Sequence, residues 1–188
     1  KKRKKTLFLV VLLFSQLFYA QSEFELKWWS PSSSPFEVVE GRAWSENLES
    51  EFDRFPINFK EKVRVSIWDL SKNSAGLSIR FKSNSPNIHI KYKLKGELAL
   101  PHMPATGVSG LDLYAKNSDG DWMWVQGQRT IAEESSYIFV NLNPNDNHTK
   151  GREYKLFLPL YNTIDSLQIG VPDDVIFEPL PVRKEKTI

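Results

Sequence analysis

Histidine is the side chain that most directly suggests chemistry, because it acts as a general base in hydrolases and as a ligand in metal sites. The 188 residues contain three histidines: His89, His102 and His148. A Ser–His–acid triad also needs a serine held in a Gly-x-Ser-x-Gly turn. That turn does not occur, since Gly107 stands two positions before Ser109 but Leu111 stands two positions after it. We therefore expect no catalytic residues and no independent enzyme activity.

Ligands for a metal ion are also scarce in the sequence. The absence of cysteine excludes thiolate metal sites and disulfide bonds. No group of histidines and carboxylates has the spacing of a metal site, so we expect no catalytic metal and no cofactor. The one alternative is a structural Ca²⁺ ion in the Asn- and Asp-rich segment 143–147, whose side-chain oxygens suit that ion.

The segment from His102 to Thr106 is the candidate for presenting side chains to a ligand. It combines an imidazole, the soft side chain of Met103 and a hydroxyl, and Pro101 and Pro104 limit its conformations. Stiffened loops on a β scaffold often carry function. We expect His102, Met103 and Thr106 to line the cleft of a neighbouring active site. The alternative is that this loop only covers one end of the fold.

Trp122 and Trp124 are candidates for stacking on sugar rings. They are two positions apart, so they share one face of a strand. Their period-2 spacing on an apolar strand favours packing in the core. Stacking on a saccharide is the alternative if the two indoles face solvent.

The charges of the chain are concentrated at its start. Five of the 25 basic residues are residues 1–5, and without them 20 basic residues remain against 23 acidic ones, a net charge of −3. No basic face remains for nucleic acid. The basic cluster, the apolar run 7–14 and Ala20 predict a secretory signal peptide over residues 1–20. We expect a secreted or periplasmic bacterial protein that leaves the membrane after cleavage; an uncleaved anchor is the alternative.

The elements that must hold these side chains are strands. Alternating apolar residues over 77–81 and 88–94 flank a polar turn and predict a hairpin. Leu111, Leu113 and Ala115 indicate the next strand, which is followed by a turn at 117–120 and by the strand that carries Trp122 and Trp124. Residues 46–62 indicate a loop or short helical turn. About eight to ten strands predict an all-β fold, a jelly-roll-like antiparallel β-sandwich. Further strands are expected on both sides of Gly41 within 36–44, over Ile138, Val140 and Leu142, over 154–158 and over 167–169.

The sequence Gly110-Leu111-Asp112-Leu113-Tyr114 matches a Gly-x-Asp-Leu-Tyr motif and resembles the domain found before SGNH-hydrolase-type esterase domains. Four family blocks occur in the expected order, and the resemblance covers about residues 28–182. The motif residues Gly110, Asp112, Leu113 and Tyr114 have a structural explanation: glycine permits a positive φ or a close approach, and the aspartate can accept backbone N–H bonds. The family blocks are residues 68–76, 102–114, 153–162 and 167–171.

The resemblance implies a non-catalytic β-sandwich ahead of an α/β hydrolase domain that begins with a Gly-Asp-Ser-like block after Ile188. The expected domains are a signal peptide (1–20), an accessory domain (21–178) and a linker (179–188). The first hypothesis is that the accessory domain docks on the hydrolase domain of the same polypeptide and shapes its cleft. The alternative is a carbohydrate-binding module that tethers the esterase to polysaccharide. Docking predicts an apolar patch made of family-block residues, whereas sugar binding predicts an exposed aromatic platform.

Overall fold

A computed structural model describes residues 25–142 and 150–183. The predicted signal peptide over 1–20, His148 and the candidate Ca²⁺ segment 143–147 lie outside the described residues. Within the described ranges, no helix is long and apolar enough to cross a membrane.

Two antiparallel sheets face each other, which confirms the predicted all-β sandwich. The smaller sheet has the strand order β1-β9-β4-β7, and the larger has the order β10-β3-β8-β5-β6 with β2 also paired to β3. Two short helices, α1 (Val65–Ser71) and α2 (Ala105–Ser109), and 3₁₀ turns at Pro31–Ser33 and Ile57–Phe59 lie in the connections. The strands are β1 Leu26–Trp29, β2 Val39–Glu40, β3 Ser78–Ser83, β4 Ile88–Leu94, β5 Asp112–Lys116, β6 Trp122–Gly127, β7 Glu134–Phe139, β8 Arg152–Phe157, β9 Ile164–Pro172 and β10 Phe177–Pro179.

The core lies between the sheets and consists of alternate side chains of the central strands. Phe81 and Tyr154 stack at a ring separation of 5.6 Å and are fully buried. Ile90 and Ile169 pair across the smaller sheet and face them. Each such side chain contributes about 1.5–3 kcal/mol when it leaves water.

The hairpin predicted over residues 77–94 is wrong. Strand β3 pairs with β8 in the larger sheet, whereas β4 pairs with β7 and β9 in the smaller one. The connection therefore crosses from one sheet to the other. The Ser83 hydroxyl supports it by donating to the carbonyl of Ile176 and accepting the N–H of Ser85. Each strand buries one face in either arrangement, so alternation of apolar residues cannot distinguish a hairpin from a crossing.

Two other strand predictions also need correction. The chain does not form a second strand after Gly41, which has a φ of +97° and lies against the carbonyl of Gly76. Strand β7 ends at Phe139, which is buried, while Ile138 and Val140 face outward. The left-handed conformation of Asn141 (φ 57°) then turns Leu142 back into the core.

One end of the sandwich collects most of the long connections. Consecutive pairings place Glu40, Ser78, Phe157, Asp112 and Gly127 in one row across the larger sheet. The connections that begin or end beside this row or at the matching end of the smaller sheet span residues 41–77, 95–111, 128–133 and 158–163. We call this region the loop end.

The last described residues also reach the loop end. Leu180 donates its N–H to the carbonyl of Arg80, and Val182 donates to the carbonyl of Glu37. Arg183 contacts Glu40 through its backbone and its guanidinium group. Residues 180–183, which the sequence assigned to a linker, therefore bind to the sheet.

Candidate docking and binding surface

Gly110 allows the chain to pass closely over helix α2. Its φ of −77° is an ordinary value, so a left-handed conformation is not the reason for glycine. A Cβ atom at this position would lie 2.3 Å from the carbonyl oxygen of Thr106. The glycine is therefore required by a close approach, which is one of the two reasons expected from the sequence.

Asp112 fixes the orientation of a tryptophan. Its Oδ1 atom accepts a hydrogen bond from the indole Nε1–H of Trp124 at 3.1 Å. This partner is a side chain on the neighbouring strand, not the backbone N–H that we expected. Gly127 lies opposite Asp112, and a Cβ there would be 2.7 Å from the same oxygen. The bare backbone of Gly127 thus makes room for the carboxylate and the indole to meet.

The remaining residues of the motif connect the core to the outer face of the larger sheet. Leu113 is fully buried between the sheets. Tyr114 points the other way and meets the ring of Phe157 edge to face at 5.3 Å. The motif is therefore a strand start whose apolar residue anchors it in the core and whose polar and aromatic residues face outward.

The expectation that Trp122 and Trp124 pack in the core is wrong. Trp124 is 59% exposed, and Trp122 is half-buried on the outer face. A register shift between Leu113 and Tyr114 pairs Trp124 with Tyr114 and Trp122 with Lys116, both of which face outward. The strand pattern correctly put the two indoles on one face, but burial depends on what covers that face, and β6 is an edge strand.

The loop that carries His102 is compact and exposed. Leu100 and Met103 exchange two backbone hydrogen bonds of 3.0 Å, which close a tight turn. His102 and Thr106 are exposed, and Met103 is half-buried against Gly107. Among the described residues, none forms a hydrogen bond with the imidazole. The structure thus leaves His102 and Thr106 accessible at the loop end and brings Thr106 near Asp112 and Trp124 in one cleft.

Asn162 joins three of the loop-end segments through hydrogen bonds. The sequence analysis did not identify this residue. The side chain is fully buried. Its Oδ1 accepts the N–H of Gly96 at 2.8 Å, and its Nδ2 donates to the carbonyl of Glu97 and the hydroxyl of Ser109. Its own carbonyl accepts the N–H of Ser74. Its position in a family block was the only signal that could have identified it.

A second buried network lies beneath the His102 loop. Tyr92 donates its hydroxyl proton to Oε1 of Gln128 at 2.7 Å, and Ser109 donates to the carbonyl of Leu98 at 2.9 Å. Burial raises the pKa of Tyr92, although its hydrogen bonds to Ser135 and Gln128 oppose the shift. Because Tyr92, Ser109 and Gln128 are buried, a change in one of them leaves another without a partner. The network therefore holds the segment 95–111 in one position.

Charged side chains form a row on the outer face of the larger sheet. Arg80 donates to Glu40 and to Glu153, both at 2.7 Å, and Lys116 reaches Glu153 at 2.8 Å. Burial alone would raise the pKa of Glu40 and of Glu153, but the hydrogen bonds and positive charges of their partners outweigh it and lower both. Burial lowers the pKa of Lys155, and repulsion by Arg183 and Arg80 adds to the effect. These ion pairs join neighbouring strands of the sheet, and the pair between Arg183 and Glu40 at 3.3 Å attaches the end of the described chain to them.

Exposed apolar side chains from the family blocks lie around Asn162. Leu160 is 48% exposed and Tyr161 is 44% exposed. The N–H of Tyr161 donates to the carbonyl of Val108, which places the two residues beside helix α2. Leu70, at the end of α1, is also exposed. We call Leu160 and Tyr161 the apolar patch; both belong to one family block, and the patch adjoins Val108 of a second block.

Comparisons with known proteins find both a family and similar structures. The model of the GxDLY family, described as the N-terminus of the SGNH-hydrolase esterase type, matches residues 26–177. A protein described as a GDSL-like lipase from Bacteroides ovatus ATCC 8483 has 27% identity and a TM-score of 0.70 over 82% of this chain. The salicylyl-acyltransferase SsfX3 from a tetracycline biosynthetic pathway has 16% identity and a TM-score of 0.57 over 85% of this chain, a likeness of fold alone. The chain spans 43% of the length of each solved structure. No curated protein sequence matches.

Proposed function

We propose a docking role from one premise: this chain belongs to the GxDLY family of domains at the N-terminus of SGNH-hydrolase-type esterases. In this proposal, the loop end of the chain binds to the hydrolase domain of such an esterase. The match to residues 26–177 confirms the resemblance found in the sequence and gives the chain a hydrolase context. The accessory role and the docking are the proposal.

The observation that carries the proposal is the convergence of family blocks at the loop end. Ser74, Ser109 and Asn162 come from three different blocks and are joined by buried hydrogen bonds. A buried network that joins distant segments rigidifies the surface above it. That surface carries the apolar patch, and exposed apolar patches of this kind are typical of interaction sites.

The path of the last described residues also favours docking at the loop end. Arg183, the last described residue, is held beside Glu40 in the row of residues that borders the loop end. A hydrolase domain joined through this segment would therefore be tethered from this side of the sandwich. Tethering raises the effective concentration of a partner, so a modest interface is sufficient for stable docking.

We infer that the His102 loop shapes the cleft of the hydrolase domain without taking part in bond cleavage. His102 is an exposed side chain on a tight, hydrogen-bonded turn, and Thr106 is an exposed side chain in the first turn of helix α2. A rigid loop loses little conformational entropy when it lines a partner's cleft. The domain itself is expected to be non-catalytic, since a triad requires a serine and an acid in hydrogen-bonding reach of the imidazole.

Location outside the cytoplasm is part of the proposal. It is supported by the basic, apolar and small residues of positions 1–20 in that order. N-terminal sequencing of the exported protein is expected to find the mature chain starting near Gln21.

The docking proposal is tested by placing a charge in the apolar patch of the esterase that contains both domains. Tyr161→Asp and Leu160→Asp are expected to lower kcat/KM for a soluble ester at least about tenfold, because a buried unpaired carboxylate disfavours the interface. The matched control is Ile138→Asp, since Ile138 is 42% exposed but pairs with His89 on the smaller sheet, away from the loop end.

The melting temperature of each variant separates docking from folding. Exposed apolar residues are expected to tolerate Asp within the domain, so the three variants should melt within a few degrees of the parent. Equal activity of Tyr161→Asp, Leu160→Asp and Ile138→Asp would contradict docking through the apolar patch.

A further inference from the structure

We propose that the cleft beside Trp124 is a binding site for a neutral saccharide. The cleft lies between the start of β5, the end of β6 and helix α2, and it has a volume of about 390 Å³. This volume falls within the range of roughly 300–1,000 Å³ that is usual for small-molecule sites. Its lining includes Thr106, Asp112, Trp124, Gln126, Gln128 and Arg129.

The indole of Trp124 forms a fixed apolar platform. It is 59% exposed on a strand, yet its Nε1–H is held by Asp112 at 3.1 Å. The exposed indole offers an apolar face that a ligand can cover, and a ring that is already oriented loses little entropy on binding. The C–H face of a pyranose is a flat apolar surface that matches such a ring.

Hydrogen-bond donors and acceptors both surround this platform. Among the described residues, Oδ2 of Asp112 forms no hydrogen bond with the protein, so it can accept a hydroxyl proton. Arg129 and Thr106 are exposed and lie on the lining of the same cleft. Carboxylate, guanidinium and hydroxyl groups at the rim of an aromatic ring suit the alternating donors and acceptors of sugar hydroxyls.

Other classes of ligand fit this cleft less well. An acyl chain would cover Asp112 and Arg129 without giving either a hydrogen-bond partner, which is costly for charged groups. An acidic polymer would meet the carboxylate of Asp112 at the platform itself. A neutral saccharide satisfies the ring and the polar groups together, so the chemistry of the lining favours it.

The position of the cleft suggests a function in addition to docking, namely holding a polysaccharide near the hydrolase domain. Thr106 belongs both to this cleft and to the loop proposed to face the hydrolase domain. A sugar ring held here would keep a polysaccharide next to the esterase cleft.

The test measures the migration of the chain in native gels that contain arabinoxylan, glucomannan, mixed-linkage glucan or, as an acidic comparison, polygalacturonate. We expect retardation in at least one of the three neutral gels. Trp124→Ala is expected to weaken binding at least about tenfold, since it removes the whole aromatic platform. Asp112→Asn keeps an acceptor for the indole but removes the charge, so it is expected to weaken binding severalfold.

The matched control is Trp44→Ala, which removes another exposed tryptophan that packs on Phe55 and Phe59 in the connection 41–77. It is expected to leave the retardation unchanged. Trp124→Phe keeps a ring and provides a second test if Trp124→Ala melts early. The proposal is overturned by migration that no neutral gel retards, by retardation in polygalacturonate alone, or by equal losses in Trp44→Ala and Trp124→Ala. None of these results would bear on docking, because the gels contain no hydrolase domain.

Discussion

Gly110 and Asn162 both determine the position of the connection 95–111, Gly110 from within it and Asn162 from the connection 158–163. The first brings the chain within contact of Thr106, and the second binds Gly96, Glu97 and Ser109. Both effects concern where a backbone lies rather than any chemistry at that residue. The exposed side chains of the loop end thus depend on where Gly110 and the buried Asn162 hold the backbone.

Asn162→Ala is expected to lower the free energy of unfolding by about 3–5 kcal/mol, because it leaves several buried polar groups without partners. Asn162→Asp retains the acceptor for Gly96 but faces the carbonyls of Gly96 and Glu97 with a second acceptor, so it should also be destabilised. Urea denaturation measures both. Asn58→Ala, at an exposed amide in the 3₁₀ turn Ile57–Phe59, is the control and is expected to change little. If Asn162→Ala unfolded with the same free energy as the parent, the Tyr92–Gln128 network would be sufficient to hold this region. That result would contradict the central role of Asn162.

At the scale of elements, the larger sheet has an exposed edge at strand β6, whereas the charged row lies on its interior strands. Strand β6 is an edge strand, so Met123 and Trp124 are both exposed although they point to opposite faces. Strands β3 and β8 are interior to the sheet, and their outward charges pair with each other. Exposure at β6 is therefore a property of its place in the sheet.

The charged row makes stability depend on pH. The folded-state pKa values of Glu40 and Glu153 are lowered below the ordinary value of 4.5, so both carboxylates stabilise the fold above that pH and lose this contribution as the pH falls through the folded pKa. Arg80→Met is expected to cost about 2–3 kcal/mol at neutral pH and progressively less below pH 4.5.

Chemical denaturation at several pH values measures this difference. The control is Lys93→Met, which removes an exposed ion pair with Glu134 and should leave the acid dependence of stability almost unchanged. A constant difference between the parent and Arg80→Met from neutral to acid pH would show that the row does not titrate as described.

At the scale of the whole molecule, one end of the sandwich differs from the other. The long connections, three of the four family blocks and the last described residues meet at the loop end. The sandwich between the ends serves as a rigid support. Docking, cleft shaping and saccharide binding are all proposed for surfaces at or beside this single end.

His102→Ala tests cleft shaping in the esterase that contains both domains. Ester hydrolysis is expected to fall about tenfold while the melting temperature barely moves, since the imidazole is exposed and its loss opens no cavity. Thr130→Ala, at an exposed residue in the connection 128–133 of the same end, is the matched control. Unchanged activity, or a fall that only follows lost stability, would mean that the loop is a structural cap.

The sequence by itself determined the class of the fold and the family. Period-2 runs such as 88–94 and 154–158 identify strands because alternation is a local property of a half-buried strand. Four family blocks in the expected order, one of which contains the motif residues 110–114, indicate the family without any knowledge of packing, and the family model matches residues 26–177.

Only the tertiary structure decided which strands pair, which faces are covered and which distant residues meet. Alternation at 77–81 and 88–94 is the same for a hairpin and for a crossing between sheets. The exposure of Trp124 follows from the edge position of β6, and the contacts of Asn162 join residues up to 88 positions apart. These outcomes depend on non-local pairing, which the pattern of a single segment does not encode.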